Sequence, residues 1–376
     1  MKIAALCDFP YWEGRVGTAV RMESLCQSLS KVCDLSVICS MKMPERYFDR
    51  MSSAPYTFID QSAMEQVHTN TPGWLIPGVK PDRMVAVKGI KHIVETGGYD
   101  AVLTPYFNRE WMVEHIRRDV LRIVDTIDCQ SQRTRSFARH GMLPTFPMTP
   151  QEEGHQLDRY DLAIALSDED QAELSTMTDR PIVTAPFRLP AQPIYSARQT
   201  ASEVLFIAAK SDVNDMTLAY MLDEVLPLVG RPLTLHVVGN VTVPETRSRN
   251  VKLVHHENVD DLGFIYRAVD LALNPTYAGG GIKTKTLEAM AYGVPVLTSD
   301  EGARGLTNLL PDDLIINDKY SFAARIGALL DDPDRRAALS REMLSRMAAE
   351  DSESWLPTFV QLLEVQKARL QERLAS

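Results

Sequence analysis

The densest chemistry in the chain lies in YAGGGIKTKTLEAMAYGVPVLTSDEGARGL, residues 277–306. Three successive glycines, Gly279, Gly280 and Gly281, let a ligand come close to backbone N–H groups. The helix expected next, over 284–292, adds free N–H donors and the positive end of its dipole. Ile282 and Thr284 join loop to helix, and Lys283 and Lys285 add mobile positive charge. This combination suits a diphosphate. Glu288, one turn inside that helix, can accept hydrogen bonds from two neighbouring sugar hydroxyls, or it can be a surface or capping glutamate. The loop is not a phosphate loop of the GxxxxGK[ST] kind.

A second glycine loop, FPYWEGRVG, follows the first expected strand, with Gly14 and Gly17 flanking Arg15. Open α/β sheets bind ligands beyond that strand edge, but GxGxxG is absent and a plain turn reads equally well. Asp125 and Asp128 flank a strand end; each is open to a role as base, substrate-hydroxyl acceptor or solvated turn residue. The basic stretch SQRTRSFARH, 131–140, suits phosphate or anionic headgroups, or a solvent-facing helix. The basic segment 83–92 carries the same two readings. His255 and His256 diverge on a strand and His236 is remote in sequence, which argues against zinc. No GxSxG elbow occurs, and no aromatic-rich basic repeat suits single-stranded nucleic acid.

The elements that must position these residues follow one grammar, used twice. In the first half, apolar runs at 2–7, 35–39, 56–59, 101–103, 122–126, 161–167 and 182–185 read as strands. Helical spacing appears within 18–31, 82–95, 152–160 and 168–174. Residues 186–200 hold three prolines and no periodicity, and read as an interdomain linker. The second half restarts with strands at 203–208, 233–238, 251–254, 271–274 and 295–298. Helices are expected over 215–229, 259–268 and 284–292, and a long amphipathic one over 355–374. Alternating strand and helix predicts parallel sheets. The expected organisation is α/β, with two Rossmann-like doubly wound domains facing across a cleft. Their bounds are 1–190 and 200–354, and a terminal helix, 355–376, crosses back to the first.

Composition narrows the function. Forty Lys and Arg against 50 Asp and Glu give 376 residues a formal charge of −10, unlike a protein that coats polyanions. Five cysteines, Cys7, Cys26, Cys33, Cys39 and Cys129, form no CxxC pair and read as reduced thiols of a cytoplasmic chain. MKIAALCDFP lacks a signal-peptide core, and no apolar run approaches ~18 residues. Peripheral membrane contact stays compatible with this.

Segment 277–306 closely resembles the signature of retaining, nucleotide-sugar-dependent glycosyltransferases of the GT-B fold, glycosyl transferases group 1. The neighbouring LHVVGN and VKLVHHENVDDLGFIYRAVDLALNPT are similar to the same family, as is LFIAAKSDVNDMTLAYMLDEVLPLV. In the first half, EGRVGTAVR and RYDLAIALSDEDQAEL resemble it more loosely. By position, Glu288 matches the second glutamate of the family's EX7E motif, which holds donor ribose hydroxyls. The first glutamate falls at Gly280, a departure that bears on donor-sugar identity.

The resemblance implies a retained-configuration transfer of sugar from a nucleoside-diphosphate sugar to an acceptor hydroxyl, in glycan or glycolipid synthesis. It implies no cofactor and no metal. Lys210, Lys285 and Asp128 would carry catalysis; Gly14, Gly17, Gly279, Gly280, Gly281, Ile282, Thr284 and Glu288 would bind donor. Arg15, Arg21 and Arg133 are candidates for acceptor or phosphate. The partners implied are a nucleotide sugar and a small-molecule, glycan or lipid-linked acceptor, with no nucleic acid. The place implied is the cytoplasm or the inner face of its membrane. A nucleotide-sugar epimerase and a non-catalytic nucleotide-sugar-binding subunit are the alternatives.

Overall fold

A computed structural model describes all residues except 14–16, 72, 245–247, 258, 260 and 376. The chain forms two compact units. One comprises residues 1–131, 148–187 and 352–376; the other comprises 132–147 and 188–351.

The first unit is built on a seven-stranded parallel sheet. Its strands are β1 (Lys2–Cys7), β2 (Asp34–Cys39), β3 (Thr57–Ile59), β4 (Ala101–Pro105), β5 (Leu121–Asp125), β6 (Leu162–Ala165) and β7 (Ile182–Thr184). The spatial order is β3-β2-β1-β4-β5-β6-β7. β1 is apolar without alternation because both of its faces are covered. Ile3, Ala5 and Cys7 pack with Met22, Leu25 and Leu29 of the helix Gly17–Leu29. Ala4 and Leu6 pack with Ile90 and Val94 of the helix Met84–Thr96 on the other face. The long helix Leu356–Ala375 joins the first of these cores through Leu356, Phe359, Leu363 and Leu370. Lys367 pairs with Asp100 at 2.6 Å, which ties that helix to the start of β4.

The second unit holds a five-stranded parallel sheet: β8 (Glu203–Ile207), β9 (Leu233–Val238), β10 (Val251–His256), β11 (Leu271–Asn274) and β12 (Val296–Thr298), in the order β10-β9-β8-β11-β12. Each unit is thus a Rossmann-like α/β layer structure, as in the GT-B fold. In both sheets the strand order reverses beside the first strand, between β1 and β4 and between β8 and β11. Loops leaving the C-terminal ends of those strands diverge and leave a crevice.

Several local expectations change. The helix read at 215–229 begins at Asp212, where the Ser211 hydroxyl accepts the Asn214 N–H at 3.3 Å. It runs to Tyr220, then loosens to a π turn over Met221–Val225 and a 3-10 turn over Leu226–Val229. Pro227, lacking an N–H, sits at that last change. Within 41–80 the apolar pattern predicts only the strand at 56–59, and the structure holds more. It contains the helix Gln61–Asn70, capped by Asp60, whose carboxylate accepts the Ser62 N–H at 3.0 Å. The basic segment 83–92 presents no solvated lysine face. Lys88 is buried, with Nζ donating to the Thr71 carbonyl at 3.0 Å and lying over the Trp74 ring. Lys91 is spent on Glu95 and the His115 carbonyl. Among the described residues no helix is long and apolar enough to cross a membrane.

Candidate functional site

The crevice between β8 and β11 opens into a cavity of about 430 Å3 in the second unit. Its walls come from three short stretches. Lys210, Ser211, Asp212 and Asn214 follow β8; Thr276, Ala278, Gly279, Gly280, Lys283 and Lys285 follow β11. Arg133, Phe137 and Leu143–Thr145 form the third side.

The glycine loop is held from several directions. Gly281 has φ +57°, a left-handed conformation that favours glycine. Lys283 Nζ turns inward, donating to the Gly280 and Gly281 carbonyls at 3.2 and 3.1 Å and pairing with Glu301 at 2.8 Å. Lys283 therefore shapes the loop, and Glu301 neutralises its charge. The helix Thr284–Ala291 begins with no side-chain cap. Thr286 inside its first turn fixes it to the strand end, since its hydroxyl accepts from Asn274 Nδ2 at 2.8 Å and donates to the Gly302 carbonyl at 2.9 Å. The result is a rigid helix start whose first N–H groups have no side-chain acceptor.

Lys285 projects from that first turn. Its Nζ donates to Asn214 Oδ1 at 2.9 Å and lies 4.7 Å from the centre of the Phe206 ring. Asn214 in turn donates to the Ala209 carbonyl at 2.7 Å, so the β8 loop orients the lysine. Burial, and then the neighbouring charge of Lys283, pull the Lys285 ammonium down to about 7. Lys210 is exposed at the rim, and its backbone N–H is anchored on Asn240 Oδ1 at 2.7 Å.

Gly280 has a spatial reason to be glycine. A Cβ there would sit 2.8 Å from Arg133 Cβ and 3.1 Å from its Cγ. The stem of Arg133 fills the place into which a glutamate at 280 would project. The Gly279 N–H also donates to Ser136 Oγ at 3.1 Å, so two adjacent glycines meet one helix, Gln130–Ala138. Arg133 brings its guanidinium 5.5 Å from the Phe137 ring centre.

Glu288 lies on the same helix as Lys285 but does not line this cavity. It is half-buried near Tyr266 and Tyr292, whose rings stack at 4.5 Å. Burial pushes its carboxyl up to about 7. Its side chain has no hydrogen-bond partner among the described residues. At i and i+3 the two side chains are neighbours on the helix surface, so an elongated ligand can meet both.

The remaining predicted residues belong to the first unit. Gly14 and Arg15 lie outside the described residues; Gly17 opens the helix Gly17–Leu29. Arg21 is 2% exposed, so it offers no open face to phosphate. Its Nε and Nη2 donate to the two Asp125 oxygens at 3.1 Å each, and Nη1 donates to the Ala185 carbonyl at 2.8 Å. Asp125, read as a possible base, is the other half of this pair. Asp128 is buried just past β5, after Ile127 at φ +61°. The sequence reading missed Asp8 and Arg109, which form an ion pair at the β1–β4 reversal, with Arg109 over the Phe9 and Tyr106 rings. The available signal was the place of Asp8, directly after the first strand. It also missed Glu153, fully buried, which accepts the Gln130 and Ser131 N–H groups at 2.7 and 2.8 Å and so anchors the start of the helix bearing Arg133.

Among the described residues no group of three His, Cys, Asp or Glu side chains is placed to hold a metal ion. His236 and His256, remote in sequence, meet at 3.0 Å on neighbouring strands, and Glu203 takes the other His236 nitrogen at 2.7 Å.

Comparison with known proteins places this geometry. Residues 201–332, within the second unit, match the family model of glycosyl transferases group 1. No curated protein sequence matches the chain. Among solved structures, TarM of S. aureus superposes with a TM-score of 0.73 at 10% identity, covering 96% of this chain and 98% of its own. Sucrose-phosphate synthase from Thermosynechococcus elongatus gives 0.65 at 16% identity, covering both chains fully. Anabaena HepE, solved with UDP-glucose, gives 0.60 at 12% identity over 100% of this chain and 99% of its own. These likenesses show the fold.

Proposed function

We propose that this chain is a glycosyltransferase that moves a sugar from a nucleoside-diphosphate sugar to an acceptor hydroxyl with retained configuration. The observation that carries the reading is the cavity at the β8–β11 reversal, where a glycine loop, an uncapped helix start and Lys285 meet. A departing nucleoside diphosphate develops negative charge in the transition state, and fixed donors aimed at it lower the barrier. Lys285 is suited to that charge: burial depresses its ammonium, and an anion beside it favours the protonated form. Lys210 supplies a mobile charge at the rim. Glu288, beyond the cavity on the same helix, would meet the ribose end of an elongated donor.

On this reading no metal or organic cofactor is needed, because the lysines and helix start supply the positive charge. Asp128 remains a candidate catalytic residue. The acceptor is a small molecule, glycan or lipid-linked saccharide, with action in the cytoplasm or at the inner membrane face in glycan or glycolipid synthesis. The test is a screen of labelled UDP-, GDP- and ADP-sugars with an acceptor-rich extract. Transfer of label with release of nucleoside diphosphate supports the reading. Isomerised donor would instead identify an epimerase, and tight binding without turnover a non-catalytic subunit.

A further inference from the structure

The first unit carries another cavity, of about 410 Å3, lined by Arg180, Gln366, Arg369, Glu372 and Arg373. Its position follows from its neighbours. Arg180 lies just before β7, and Arg373 pairs at 3.1 Å with Asp161, the residue before β6. The cavity is therefore at the N-terminal ends of the strands, opposite the edge where the β1–β4 loops diverge. Gln366, Arg369 and Arg373 share one face of the helix Leu356–Ala375, at helical spacings of three, four and seven.

Gln366 is 4% exposed, and its amide has no hydrogen-bond partner among the described residues. The amide is not one of the enclosed polar atoms left without a partner, so it opens onto the cavity. Around it stand three guanidinium groups and one carboxylate, in a chain whose net charge is −10. Arg180 is oriented by the Asp158 carbonyl at 2.9 Å and Arg373 by Asp161, while Arg369 is exposed and enters no ion pair among the described residues. Arginine forks match tetrahedral oxyanions, and a carboxamide adds a neutral donor.

We propose that this cavity binds a phosphate group, with Gln366 at its floor and Arg180, Arg369 and Arg373 as its walls. The space exceeds one phosphate, so the group belongs to a larger ester, either a soluble phosphate ester or a phospholipid headgroup. Isothermal titration of inorganic phosphate into the full chain tests it at constant ionic strength. The Lys285→Ala protein, which on the proposed function should bind phosphate weakly at the other cavity, serves as the background. Saturable binding is expected there, weakened by about tenfold or more in Arg180→Gln/Arg369→Gln. Arg369→Gln alone, at an exposed site, keeps the test open if the double variant fails to fold, and circular dichroism checks the fold. Flotation with vesicles containing phosphatidic acid separates the sources. Vesicle binding lost with Arg369→Gln assigns a lipid headgroup; phosphate binding without vesicle binding assigns a soluble ester. Absence of saturable phosphate binding, or equal binding in the folded arginine variants, overturns the proposal.

Discussion

The two sheets treat charge differently at the points where their strand order reverses. Around the first, ionised side chains satisfy one another: Arg21 grips Asp125 in the interior, and Arg109 is paired with Asp8. Around the second, Lys210, Lys283 and Lys285 crowd one cavity with Asp212 in its wall. Glu301 quiets only Lys283. Paired charges of opposite sign hold a fold together. Like charges crowded in a half-buried crevice oppose folding, and an arriving anion offsets that cost. The depressed Lys285 and elevated Glu288 mark the second region as the one arranged for a ligand.

The largest effect should come from breaking the buried pair. Arg21→Ala strands the Asp125 carboxylate and should destabilise the first unit by about 3–5 kcal/mol, read from its unfolding transition in urea. Arg21→Met with Asp125→Leu should recover most of that loss. An equally unstable double variant would show that the pair does more than compensate itself.

Lys285→Ala should act in the opposite sense, leaving the fold intact while nucleoside-diphosphate affinity falls about a hundredfold, or about 2–3 kcal/mol. Full affinity in calorimetry would remove Lys285 from the site. Glu288→Ala should cost about 1.5–3 kcal/mol of the same affinity, roughly ten- to a hundredfold, with an unchanged circular dichroism spectrum. Loss of folding without selective loss of affinity would make Glu288 structural.

Titration offers a finer test. Glu288 is raised from 4.5 to about 7, so the stability associated with its neutral form is present below 4.5 and is lost as pH rises through 7. Lys285 is lowered from 10.5 to about 7, so its charged form burdens the fold below 7 and the burden lifts as pH rises towards 10.5. The two contributions together are least favourable near neutrality. Glu288→Gln should flatten the acid limb and Lys285→Met the alkaline limb of a stability–pH curve. At pH 8 the nucleotide should bind with uptake of up to about one proton, visible as buffer-dependent calorimetric heat, because an anion restores the Lys285 charge. The smallest effect belongs to Arg109→Ala, whose partly exposed pair with Asp8 should contribute about 1 kcal/mol or less. A loss rivalling that of Arg21→Ala would erase the distinction between buried and rim pairs.

Much of this architecture was legible in one sequence. Apolar runs such as IAALC and LSVIC need both faces covered, which dictates parallel strands between helices. The glycine loop and LEAMAYG helix were legible because left-handed glycine, a helix start and lysine leave a local pattern within ten residues. Local pattern stopped at the partner of each charge. Arg21 and Asp125 are 104 residues apart, and nothing near either one announces that they cancel. Lys88 read as a solvated base until Thr71 and Trp74 enclosed it. Gly280 read as a missing glutamate until the Arg133 stem was found in its place. Helix and strand periodicity, turn residues and net charge are properties of neighbours along the chain, so the sequence alone determined the α/β plan and the loop to inspect. Which ions are neutralised, which stay half-buried and frustrated, and what occupies the space over a glycine depend on residues brought together from distant segments. Desolvation and Coulomb energy act through space, and only the tertiary structure could decide them.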